Sequence, residues 1–113
     1  MIEGLNRFHE VRLSEAGIDN AQNLAEASLV SLILKTPFGP HQLIDWIGQA
    51  QLFLEFKDDL DKLRRHGIRT AFDLKDIDET RLGAIATAAE LSDVTLQTVA
   101  ERLRADPRTE RLA

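Results

Sequence analysis

Leu13-Ser14-Glu15-Ala16-Gly17-Ile18-Asp19-Asn20-Ala21-Gln22-Asn23-Leu24 recurs fifty positions later as Leu63-Arg64-Arg65-His66-Gly67-Ile68-Arg69-Thr70-Ala71-Phe72-Asp73-Leu74. Five of the twelve positions are identical, and each identity has a structural reason. Leu13 and Leu63 stand one turn before a glycine, on the inner face of a first helix. Gly17 and Gly67 suit the left-handed residue that ends a helix. Ile18 and Ile68 supply the apolar contact that follows such a cap. Asn20 and Thr70 are fit to cap the next helix, and Thr70 with Asp73 approximates a capping box. Leu24 and Leu74 return to the core one turn later.

The pattern continues outward from each copy. Leu29, Leu32 and Ile33 keep helical spacing, a loop follows at Thr36-Pro37-Phe38-Gly39-Pro40, and Leu43, Ile44, Ile47 and Leu54 resume the period. In the second half Leu82, Ile85, Ala86 and Ala89 precede Leu91-Ser92-Asp93, then Leu96, Val99 and Leu103. Ser92 or Asp93 is placed to cap that last helix. The spacing predicts helices over 5–16, 20–27, 28–35, 40–55, 57–66, 70–76, 79–90 and 93–105, and no strand. The expected fold is all-α: one compact domain, 1–113, of two repeats of about 50 residues (about 5–55 and 56–106). They would share a core around Trp46 and Phe53, with 107–113 as a flexible tail.

Helix 40–55 is apolar on more than one face, and Phe38, Trp46, Phe53 and Phe56 crowd into one window. Leu43, Trp46, Ile47 and Phe53 are therefore candidates for core or for a subunit interface.

Composition narrows the chemistry. The 113 residues are 43% hydrophobic and 29% charged, a globular balance. Without cysteine there are no disulfides, thiol nucleophiles or thiolate metal sites. The longest apolar run, Leu32-Ile33-Leu34, is far too short to span a bilayer. Met1-Ile2-Glu3-Gly4 lacks the basic flank and apolar core of a signal peptide. His9, His41 and His66 have no partner at a metal-binding spacing. Asp58/Asp59/Asp61 and Asp76/Asp78/Glu79 lack the frame of a calcium loop. No phosphate loop or nucleophile elbow is present. Short helices around one core leave little room for a cleft. The expectation is no catalytic residue, no cofactor and no metal.

Charge is uneven. Residues 1–61 hold 4 basic and 10 acidic side chains; residues 62–113 hold 10 and 9. Lys62, Arg64, Arg65, His66 and Arg69, with Thr70 at the following helix start, form the candidate anion site.

A helix, a Gly-Ile turn and a second helix resemble the helix-hairpin-helix motif. The pattern also resembles the C-terminal domain of the RNA polymerase α subunit. Arg12–Leu24, Leu43–Leu52 and Leu63–Leu74 together resemble a bacterial family of tandem helix-hairpin-helix-like domains of unknown function. The Trp46-Ile47-x-Gln49-Ala50 and Gly67-Ile68-Arg69-Thr70-Ala71 blocks carry most of that likeness. Such modules often form the cytosolic part of a membrane protein. The resemblance implies a non-enzymatic interaction and oligomerisation module, cytoplasmic, tethered to the inner membrane through a segment outside this sequence. DNA-binding helix-hairpin-helix motifs carry Gly-x-Gly in the turn; here the second glycine position holds Asp19 in the first repeat and Arg69 in the second. Asp19 repels a phosphate and Arg69 attracts one. Two alternatives follow: a sensor of an anionic nucleotide or cyclic oligonucleotide at the second hairpin, and nonspecific DNA binding. The net charge of −5 weighs against duplex DNA.

Overall fold

Side-chain oxygens and nitrogens mark where most of the helices begin. The computed structural model describes residues 2–91 and 93–105, apart from the side chains of Asp58, Asp93 and Val94. Asn6 opens α1 (Arg7–Glu15): its Oδ1 accepts the His9 N–H, and His9 Nδ1 accepts the Asn6 N–H. Asn20 opens α2 (Ala21–Ala25) and Ser28 opens α3 (Leu29–Lys35). α4 (Pro40–Phe56) begins with proline, whose missing N–H has no partner to lose there. A 3-10 turn (Lys57–Asp59) leads into α5 (Leu60–Arg64). Thr70 opens α6 (Ala71–Lys75) and Asp78 opens α7 (Glu79–Ala88); α8 is Asp93–Ala105. The described residues contain helices and no strand. The expected cap at Ser92 or Asp93 and the tail 107–113 lie outside the described residues and side chains.

Both glycine turns close in the same way. Gly17 N–H donates to Ser14 C=O at 3.0 Å and Ile18 N–H to Leu13 C=O at 2.9 Å. Gly67 and Ile68 donate to Arg64 and Leu63 at 3.1 Å each. This is the Schellman pattern, with the glycines at φ +91° and +83°. α7 ends with the same pair of bonds, from Glu90 to Thr87 and Leu91 to Ala86, but its left-handed residue is Glu90 at φ +59°. No glycine signals that turn in the sequence.

Both halves pack on α4: α2 and α3 lie against it from the half that holds the first glycine-turn hairpin (α1–α2), α5 and α6 from the half that holds the second (α5–α6), while α8 packs on α6 and α7. At about 1.5 Å per residue it spans roughly 25 Å, long enough for its halves to serve different neighbours. Leu43, Trp46, Ile47 and Ala50 join Leu13, Leu24 and Leu32 in one buried cluster. Leu52 and Phe56 join Leu63, Ile68, Leu74, Leu96 and Val99 in another. The expectation of one core shared around Trp46 and Phe53 is thus corrected. Trp46 belongs to the first cluster, and Phe53 is half-buried against the second. Gly48 and the buried amides Gln49 and Gln51 interrupt the apolar surface between them. The fold is a compact globule of 41 × 26 × 19 Å, with a radius of gyration of 14.3 Å.

Gly48 sets how closely the second hairpin approaches α4. A Cβ there would lie 2.9 Å from Thr70 Cβ and 2.7 Å from the Phe72 ring. The ring can swing aside; Thr70 Cβ is fixed to the backbone. Alanine at Gly48 gains about 1 kcal/mol of helix propensity but meets overpacking of about 1–3 kcal/mol. Gly48→Ala is expected to lower stability in urea unfolding. Gly67 has open space around its missing Cβ, so Gly67→Ala isolates the backbone term, a loss of about 1–2 kcal/mol. Glu90→Gly is the reverse experiment and is expected to stabilise by about 0.5–1 kcal/mol in the same assay.

Candidate functional site

The basic cluster of the second hairpin is brought together, but against carboxylates. Arg69 Nε donates to Glu3 Oε1 at 2.8 Å, and its Nη1 to Asp45 Oδ1 at 3.1 Å. Arg64 lies between Glu3 and Asp61, and its Nη2 donates to Gln49 Oε1 at 3.3 Å. Lys62 pairs with Asp59 at 3.5 Å. Arg65 and His66 are exposed and form no ion pair among the described residues. Thr70 is buried, its Oγ1 accepting the Asp73 N–H. The backbone donors of the turn are also occupied: Asp73 Oδ2 accepts the N–H of Arg69 at 3.0 Å and of Thr70 at 3.1 Å. A phosphate would compete with Asp73 for the N–H groups and with Glu3 and Asp45 for the guanidinium.

Gln49 holds the centre of this network. Its side chain is fully buried, and it accepts the Glu3 N–H at 2.7 Å while donating to Glu3 C=O at 3.1 Å and Asp45 Oδ2 at 2.7 Å. The amide thus grips a backbone unit 46 positions away, as a neighbouring strand would. That grip places the Glu3 carboxylate where Arg69 reaches it. The segment before α1 is pinned across α4 and onto the second hairpin.

A second cluster is aromatic. The Trp46 ring lies 4.9 Å from His9 and 5.1 Å from Phe38. Phe8 meets Phe38 edge-on at 6.3 Å. Leu43, Trp46 and Ile47 are buried within the chain, so their side chains serve its own packing. Among the described residues the large apolar side chains left exposed are elsewhere: Phe8 (59%) and Val11 on α1, and Val30 (66%), Ile33 and Leu34 (80%) on α3. On α3 these lie roughly opposite buried Leu32. Sequence reading put Ile33 with the inward residues; the signal overlooked was that α3 is apolar around most of its circumference.

A cavity of about 370 Å³ opens beside the first hairpin, lined in part by Leu13, Ile18 and Leu24. Among the described residues no group of three His, Asp or Glu side chains converges on a metal position. No helix among them is long and apolar enough to cross a membrane. No protein-family model, curated protein or solved structure matches the chain.

The hydrogen bond from Arg69 holds the Glu3 carboxyl below its ordinary range, and Glu3 in turn holds the Arg69 guanidinium above its own. A lowered carboxyl stabilises the fold fully above the ordinary value near 4.5, and that contribution fades as pH falls through the folded value. Both partners are solvent-accessible, so the effect stays within about 1 kcal/mol. Glu3→Gln is expected to lower stability slightly at pH 7 and to flatten its decline below pH 4.5. Urea unfolding of both proteins between pH 3 and 7 checks this; parallel curves would count against the pairing.

Proposed function

We propose that the chain is a non-enzymatic interaction and oligomerisation module built from two helix-hairpin-helix-like repeats. Its two Gly-Ile turns share one hydrogen-bond pattern, which supports the repeat reading. The carrying observation for the interaction role is the outer face of α3, where Val30, Ile33 and Leu34 stand in water. Scattered exposed apolar residues are ordinary; three of seven residues of one short helix, all on one arc, form a patch. The link to a larger or membrane-anchored protein, on its cytosolic side, rests on the family resemblance alone. The pre-paired arginines and the occupied turn amides give little support to the polyanion-sensor reading, and the acidic first half gives little to DNA binding.

Sedimentation of the protein across a wide concentration range tests the role. Reversible self-association is expected. The double variant Val30→Ser, Leu34→Ser is expected to weaken it at least thirtyfold, since losing about 2 kcal/mol of apolar burial corresponds to roughly that factor. A strict monomer, or association indifferent to both changes, would overturn the reading of this face.

A further inference from the structure

The two hairpins share their turns but differ in what covers them. In the second, Leu63, Ile68 and Leu74 share one buried cluster with Leu52 and Phe56 of α4 and with Leu96, Val99 and Leu103 of α8, and Ile68 is only 1% exposed. α4 also supplies the counter-charge: Asp45 reaches Arg69, the residue after the turn. In the first, Leu13 and Leu24 share a buried cluster with Leu43, Trp46 and Ile47 of α4 and with Ile2, while Ile18 is only partly buried. Where a covering helix would lie there is the cavity of about 370 Å³, with Ile2 and Leu5 of the N-terminal segment on its wall. Its rim carries Glu10 and Asp19. The positions fifty later are buried Leu60 and paired Arg69. Asp19 accepts a hydrogen bond from Ser14 Oγ at 2.7 Å. Neither Asp19 nor Glu10 has a cation within ion-pair distance among the described residues.

We propose that this cavity is a docking groove for a partner's amphipathic helix that covers the first hairpin as α4 covers the second, with its charge reversed. α4 presents Asp45, Gly48, Leu52 and Phe56 to the second hairpin. The matching helix carries a lysine or arginine at the first of these positions, a small residue three later, and apolar side chains seven and eleven later. The cation meets Asp19, the small residue permits close approach at the turn, and the apolar pair enters the cavity. The proposal rests on the interaction-module reading and names its partner's chemistry. It uses a different surface, since Glu10, Leu13 and Ser14 face away from Phe8 and Val11 around α1.

The probe is a seventeen-residue helical peptide with Lys, Gly, Leu and Phe at the positions of Asp45, Gly48, Leu52 and Phe56, and Ala and Gln elsewhere. Its twin carries Asp for Lys. Amide chemical-shift mapping is expected to place the lysine peptide at Leu13, Ile18 and Leu24, binding about fivefold tighter than the twin. Asp19→Asn, which can still accept from Ser14, is expected to erase the preference, and Asp19→Lys to reverse it. Equal binding of both peptides, no binding, or shifts confined to α3 would overturn the groove. Self-association through Val30 and Leu34 surviving that result would leave the broader module reading standing.

Discussion

The close approach at Gly48 is the constraint on which the rest of the architecture depends. Thr70 and Phe72 sit where a side chain on α4 would be, so the second hairpin is seated directly on helix backbone. From that point the two ends of α4 diverge in duty. Toward the N-terminus it offers Leu43, Trp46 and Ile47 to the first hairpin; toward the C-terminus, Leu52 and Phe56 to the second. A bulkier residue at the crossing would lift the second hairpin away, and Asp45 would then stand too far from Arg69 to pair with it.

The polar network around Gln49 is the second half of that junction. Surface ion pairs contribute little singly. Here three of them run through Glu3, Arg64 and Asp45, residues that the buried Gln49 amide also hydrogen-bonds, so the ordering entropy is shared among several contacts. What reads in sequence as a basic cluster awaiting an anion is, in the folded chain, largely a clasp between segments. Large apolar side chains stay exposed on α1 and α3, and among the described residues Glu10 and Asp19 beside the first glycine turn have no ion-pair partner.

Much of the local structure was legible. Gly17 and Gly67, followed by isoleucine and a capping side chain, announce their turns because left-handed backbone favours glycine so strongly. Pro40, Asn20 and Thr70 mark helix starts for equally local reasons. The turns at Lys57 and Glu90 were not legible, because a non-glycine residue held at positive φ by its surroundings leaves no trace in composition. Nor was the fate of Arg69, whose partner Glu3 is 66 positions away. Local pattern shows that a cation precedes a helix; only tertiary packing shows which carboxylate reaches it. The division into two buried clusters was hidden for a related reason. An all-round apolar helix suits one shared core or two separate ones, and helix length with the Gly48-Gln49 break decides between them.

The unequal covering of two chemically equivalent turns can be read directly. Ile18 and Ile68 donate the same Schellman hydrogen bond, at 2.9 and 3.1 Å, so their amide hydrogen exchange compares what lies over each. Native-state exchange in dilute monomeric protein is expected to show Ile68 protected to the level of global unfolding. Ile18 is expected to exchange faster, through local opening of the first hairpin. Equal protection of the two amides, or greater protection at Ile18, would contradict the asymmetry from which the open first hairpin and its partner are inferred.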